Sequence, residues 1–208
     1  MPEKAYSEVS RLEGLWGGEF GNAYVDRNID ARNGREPFWK NLIARYEIQN
    51  VLEVGCNVGA NLFWLNQLLE SRRVFGIDIN EKALKELKKR NPEVNAVWSP
   101  AKELPFRDRH FDLVFTTGVL IHQTPLSLPL VMSEIVRCSR KFILCAEYFA
   151  EDLTEIPYRN QHGALFKQNY GKIYQDLFPY LELMDQGFLP KEEGGWDDVT
   201  YWLFRKPG

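Results

Sequence analysis

The run Val51-Leu-Glu-Val-Gly-Cys-Asn-Val-Gly59 most narrows what this chain can fold into. Apolar residues lead into a glycine-bearing turn and a helix-forming stretch follows. A second apolar run, VFGID, then ends on Asp78. That order describes a parallel strand–helix–strand unit with a nucleotide-type site at the carboxyl edge of its sheet. Glycine at Gly55 and Gly59 lets the backbone come close to a ligand, and an acid such as Asp78 can hold ribose hydroxyls. The dinucleotide pattern G-x-G-x-x-G is not met, because Gly55-Cys56-Asn57-Val58-Gly59-Ala60 lacks two of its three glycines. Asn57 stands at a middle position where Asn is the non-glycine residue most tolerant of left-handed backbone angles.

The chain has 208 residues and 44% hydrophobic content, enough for one sizeable core and too little for two ordinary domains. A net charge of −3 and a pI near 5.7 argue against a nucleic-acid partner, which demands a basic face. Cys56, Cys138 and Cys145 have no metal-type spacing and suit reduced thiols. The polar start MPEKAYSEVS has no signal-peptide core, and no apolar run approaches membrane-spanning length. The expectation is a cytoplasmic protein, monomer or homodimer, with no membrane partner. No histidine pair has ligand spacing, so no metal is assigned.

Along the chain, residues 3–15 and 35–47 read as capping helices joined by the aromatic and glycine-rich segment WGGEFGNAYVDRN. Strands are expected near 50–55, 73–78, 94–98, 110–118, 141–148, 181–189 and 199–205. Helices are expected near 59–70, 80–90, 127–138 and 167–177. Strands alternating with helices imply an α/β fold with a doubly wound, mostly parallel, seven-stranded sheet. The whole of 1–208 reads as one domain, with a cap or lid over 1–48 and an α/β core over 49–208. The stretch 150–163, punctuated by Gly and Pro, reads as an insertion of the kind that often binds ligands.

The turn resembles the E-x-G-x-G-x-G motif of class I S-adenosylmethionine (SAM) methyltransferases, with Glu53, Gly55 and Gly59 in place and Asn57 at the middle glycine. Three segments further resemble the family of pseudaminic acid biosynthesis-associated methylases: LWGGEFGNAYVDRN (15–28), VLEVGCNVGANL (51–62), and GVLIHQTP with AEYFAEDLTEIPYR (118–125 and 146–159). The resemblance runs from about Leu15 to the DDVTYWLF segment. It implies a Rossmann-like fold, SAM as cofactor, and a small-molecule acceptor such as an amino or acidic sugar intermediate. One departure stands out: Ser99-Pro100-Ala101 replaces the G-D-A that often precedes L-P-F, so the acid that commonly reads adenine is missing. Adenine would then rest on backbone groups near Ala101 and on apolar packing.

The resemblance implies a cofactor set of Glu53, Gly55, Asn57, Gly59, Asp78, Ala101 and Thr117. Each has a plainer reading; Asp78, for instance, also fits the N-cap of the following helix. His122 follows the fourth strand at the acceptor edge and can serve as a general base, or cap a helix or bind substrate without proton transfer. Glu147, at the end of the fifth strand, and Tyr158 complete the candidate catalytic set. Tyr24, Arg27, Asn28, Tyr148 and Arg159 are candidate substrate contacts in a polar-aromatic lid. Asp112, inside the fourth strand, is expected to be structural. An alternative function is a SAM enzyme in which no methyl leaves, such as a cyclase of the aminobutyryl chain that releases methylthioadenosine.

Overall fold

The structure, a computed structural model, describes residues 2–30 and 34–207. β1 (Val51–Val54), β2 (Val74–Asp78), β3 (Asn95–Trp98), β4 (Phe111–Thr117) and β5 (Ser139–Glu147) run parallel. β8 (Glu182–Leu189) and β9 (Val199–Arg205) form an antiparallel pair that joins the sheet through β5, giving the order β3-β2-β1-β4-β5-β9-β8. The order reverses direction between β1 and β4. In open α/β sheets the crevice at the carboxyl ends of such strands is the ligand site.

Alternation along the strands sends residues to two cores. Leu52, Val54 and Val114 pack with Val131, Met132 and Ile135 of α6 (Ser127–Cys138), and with Tyr170 and Tyr174 of α7 (Tyr170–Leu177). Val51, Val74, Leu113 and Phe115 pack against α3 (Glu36–Tyr46), α4 (Ala60–Leu68) and α5 (Glu81–Arg90) through Trp39, Leu42, Leu62, Leu65 and Leu87. Glu53 follows the parity of Val51, so its carboxylate points toward the helices of the second core. Asp112 lies far from this edge: its Oδ2 accepts from the Gln49 and Asn50 amides at 3.1 and 3.2 Å, which fixes the entry to β1.

Three elements depart from the sequence reading. α1 (Pro2–Gly17) is longer than 3–15, and the glycine-rich segment after it is largely a second helix, α2 (Glu19–Arg27). Gly21 permits this, because a Cβ there would lie 1.8 Å from the Trp16 carbonyl oxygen. The insertion is a short hairpin, with β6 (Thr154–Glu155) paired to β7 (Phe166–Lys167). At its tip Tyr158 and Gln161 exchange backbone hydrogen bonds around Arg159 and Asn160, both with left-handed φ of 48° and 64°. Two such central residues are the signature of a type I′ turn, whose twist matches that of the flanking chain. The arm is tied to α1, where Arg11 Nη2 donates to the His162 carbonyl at 2.9 Å. No helix among the described residues is long and apolar enough to cross a membrane.

Candidate active site

The turn after β1 is built from left-handed backbone at Gly55 (φ 73°), Asn57 (φ 46°) and Gly59 (φ 78°). The Gly55 and Cys56 amides donate to the Ile77 carbonyl, both at 2.9 Å, which ties the turn to β2. Asp78 then grips it: Oδ2 accepts from the Asn57 amide at 2.8 Å and Oδ1 from the Asn80 amide at 2.8 Å. Each oxygen keeps a further lone pair for a ligand donor. Burial raises the Asp78 pKa, and the backbone donors oppose the rise.

One expectation needs correction here. The N-cap of α5 is Asn80, not Asp78: Asn80 Oδ1 accepts from the Ala83 amide at 2.9 Å, while its Nδ2 donates to the Trp16 carbonyl and Asn22. At Gly55 and Gly59 the protein's own neighbours already demand glycine. A Cβ at Gly55 would meet Val119 Cγ2 at 2.5 Å, and one at Gly59 would meet Leu87 at 3.0 Å. Backbone handedness and protein neighbours fix both positions.

Behind the turn lies a buried polar chain. Asn61 Nδ2 donates to Glu53 Oε1 at 2.6 Å and to Thr117 Oγ1 at 3.0 Å. Its Oδ1 accepts from Arg35 Nη1 at 2.9 Å and Trp39 Nε1 at 3.2 Å. The amide is saturated on both sides, which fixes its orientation. Glu53 Oε2 is buried without a partner, and desolvation pushes the Glu53 pKa up to about 8.

His122 sits in the short 3-10 turn Leu120–His122 after β4. Its Nδ1 lies 2.6 Å from the Ala164 carbonyl, an oxygen that can only accept. Nδ1 therefore carries the proton, and Nε2 keeps its lone pair. Burial pulls the imidazole down to about 4, so the ring is neutral near pH 7. Trp16 and Tyr158 flank it, with ring centroids 4.3 and 5.6 Å away. Glu147 holds this turn from below: its Oε2 accepts from the Val119 amide at 2.9 Å and the Ile121 amide at 3.4 Å. Glu147, expected in the catalytic set, thus positions the His122 turn and is not among the residues that line the cavity.

One cavity of about 690 Å³ collects these groups. Of the residues expected from the sequence, all line it except Gly59 and Glu147. Tyr24, Arg27 and Asn28 reach it from α2 and its C-cap, where Asn28 Nδ2 donates to the Tyr24 carbonyl at 2.9 Å. Tyr148 comes from the end of β5, and Tyr158 and Arg159 from the hairpin tip. Ala101 forms the wall beyond Asp78, where Ser99 is turned inward to the Glu103 carbonyl at 2.6 Å. Sequence reading missed Trp16, whose indole N–H is buried without a partner, together with Arg35, Asn61 and Trp196. Trp16 and Asn61 lie inside the 15–28 and 51–62 segments, but only the folded contacts bring their side chains to the cavity.

Residues 51–141 match the family model described as a methyltransferase domain. Over 89 residues the chain is 35% identical to an uncharacterised methyltransferase of Synechocystis, covering 43% of this chain and 41% of that one. The match thus spans about two fifths of the length of that curated relative. Among solved structures, 1,6-didemethyltoxoflavin-N1-methyltransferase of Burkholderia thailandensis superposes with TM-score 0.71 at 18% identity, covering 100% of this chain and 91% of that one. That protein was solved with 1,6-didemethyltoxoflavin and S-adenosylhomocysteine bound. Magnesium protoporphyrin IX methyltransferase of Synechocystis, solved with SAM, gives TM-score 0.69 at 13% identity over 96% of this chain and 97% of that one. The fold is the Rossmann-like fold of these solved SAM-dependent methyltransferases, and residues 51–141 carry the similarity to the methyltransferase-domain model.

Proposed function

We propose that this chain is a SAM-dependent methyltransferase acting on a small-molecule acceptor, with an amino or acidic sugar intermediate as the acceptor class. The observation that carries the cofactor reading is the pairing of the left-handed 55–59 turn with two acids. Asp78 grips the turn, and Glu53 Oε2 is buried at the cavity without a partner. Asn57 Oδ1 is likewise unpartnered. These acceptors fit a ligand that brings ribose hydroxyls and an ammonium group, as SAM does. Asp78 would hold the hydroxyls, Glu53 with Thr117 the ammonium end, and Ala101 the adenine side. Gly55, Asn57 and Gly59 shape the turn that carries them.

When bound, SAM supplies an electrophilic methyl on a sulfonium. The protein's task is then to hold the acceptor in line, exclude water and take up a proton. His122 Nε2 is the lone pair available to an acceptor N–H or O–H, in a ring whose tautomer is set by Ala164. The Trp16, Tyr24 and Tyr158 rings cover that side, with Trp16–Tyr24 centroids 5.4 Å and Trp16–Tyr158 centroids 6.4 Å apart. Arg27 and Arg159 are exposed at the cavity and make no ion pair among the described residues, which supports an acceptor bearing an acid; Asn28 and Tyr148 would orient it. The test is mass-spectrometric analysis of nucleosides after incubation with SAM and cell extract. S-adenosylhomocysteine is the expected product. Methylthioadenosine instead would show that no methyl is transferred and overturn the reading.

A further inference from the structure

The loop that enters β9 carries two adjacent acids with different roles. Asp198 has a left-handed φ of 54°, and its Oδ1 accepts from the Lys191 amide at 2.8 Å, which closes the loop on itself. On the other side Trp196 is buried and packs edge-on against Phe38, with ring centroids 5.3 Å apart. Asp197 is held between these two anchors. It lines the cavity, is exposed, and makes no hydrogen bond or ion pair among the described residues. A free carboxylate on an open surface is ordinary. One on a cavity wall, fixed from both sides, is preorganised for a ligand.

Tyr24 and Tyr148 line the same cavity and feel that charge. Burial is the main cause of the raised pKa of both phenols, and Asp197 adds to each rise. Neither hydroxyl makes a hydrogen bond among the described residues, so both keep their capacity for a ligand. Arg35 also feels Asp197 but is not paired with it: its Nε and Nη1 donate to the Gly195 carbonyl and to Asn61. What fits is a compact cation with several donors. An alkylammonium has three N–H donors, and a carboxylate with two phenol oxygens offers an acceptor to each. A neutral hydroxyl would leave the carboxylate charge uncompensated.

We propose that Asp197, with the Tyr24 and Tyr148 hydroxyls, anchors a protonated amine of the acceptor. The proposal rests on the methyltransferase reading and narrows its acceptor class to molecules that carry an amine. An ammonium has no lone pair, so the nitrogen held by Asp197 is not the atom that is methylated. The methyl goes to another N–H or O–H, the one presented to His122 Nε2. Asp197 thereby sets which way round the acceptor lies.

The test uses glucosamine and glucose, which differ by an ammonium in place of one hydroxyl. Their binding is followed by NMR titration at mildly acidic pH, with and without saturating S-adenosylhomocysteine, in the parent, Asp197→Asn and Glu192→Gln proteins. Glu192 is an exposed acid of the same loop that does not line the cavity. The parent is expected to prefer glucosamine by roughly 10- to 150-fold, the range for hydrogen bonds to a charged group, and Asp197→Asn by no more than about twofold. Glu192→Gln should keep the parent's preference. S-adenosylhomocysteine affinity should be the same in all three proteins, which also certifies their fold. A parent without the preference, including one that binds neither sugar, would overturn the anchor. An equal loss in both variants would overturn it by reducing the effect to net charge. A fall in S-adenosylhomocysteine affinity in Asp197→Asn would overturn it by placing the carboxylate at the cofactor. A parent that prefers glucosamine yet binds no S-adenosylhomocysteine would support the anchor and overturn the cofactor reading instead.

Discussion

Replacing Gly55 with alanine tests the physical account of the turn. The residue has φ of 73°, where any Cβ costs roughly 1–2 kcal/mol. The new Cβ would also lie 2.5 Å from Val119 Cγ2 and 3.2 Å from Cγ1, so something must move. Overpacking of that kind adds about 1–3 kcal/mol. Gly55→Ala is therefore expected to destabilise the protein by about 2–5 kcal/mol, a large share of the roughly 5–15 kcal/mol typical of a domain. The two causes separate in a double-mutant cycle. Val119→Ala removes both γ-carbons and relieves the clash, while the backbone penalty stays. Urea unfolding of the four proteins should give a favourable coupling of about 1–3 kcal/mol and leave the double variant still about 1–2 kcal/mol worse than Val119→Ala. Additive effects would refute the claim that Val119 fixes Gly55, and a single-variant loss below about 0.5 kcal/mol would refute the backbone argument.

Further tests address chemistry, protons and the lid. His122→Asn should keep SAM affinity and lower turnover by on the order of 10²–10⁴, the range for a general base. Because burial holds the imidazole at about 4, the acid limb of the parent's pH–rate profile is expected near that value instead of near 6.5, and the variant should lose it. Unchanged turnover would end the base role. Stability should fall as pH rises from about 6.5 to 8. Glu53 at about 8 and Glu147 at about 7 both sit above the ordinary 4.5, so the folded state holds protons the unfolded state has released. Their contribution is lost as pH rises from about 4.5 to those values. His122 works in the opposite direction between about 4 and 6.5, which leaves pH 6.5–8 as the clean window, with a slope up to about 1.4 kcal/mol per unit for each proton. Urea midpoints that stay flat across this window in the parent, or fall equally in Glu53→Gln, would contradict the assignment. Finally, hydrogen exchange at saturating S-adenosylhomocysteine should slow at 16–28 and 150–163, and no change in either segment would refute a lid.

Long-range order was legible in the sequence because strand and helix periods alternate cleanly from Val51 to Glu147. The turn, the acid at Asp78 and the end of β4 follow from that alternation, since carboxyl ends of parallel strands share one edge. What escaped depended on contacts between distant segments. Gly17, Gly18 and Gly21 look like loop punctuation, yet Gly21 is there so that α2 can pass against the Trp16 carbonyl. Asn80, not Asp78, is the cap because it immediately precedes α5, while Asp78 accepts from the Asn57 and Asn80 amides. The hairpin at 154–167 pairs only two residues per strand, too few for a periodic signal. Glu147 was visible as a strand-end acid, but its direction, under the Val119–Ile121 backbone, was not. Arg35 resembles any surface arginine until Asn61, Gly195 and Trp196 surround it.

The central claim is that SAM is held at the 55–59 turn by Asp78. The most direct measurement is the calorimetric affinity of S-adenosylhomocysteine for the parent and for Asp78→Ala. Hydrogen bonds from ribose to a charged acceptor contribute about 1.5–3 kcal/mol each, so the variant is expected to bind at least about tenfold more weakly. Equal affinity in the two proteins, or no binding by the parent, would contradict the account.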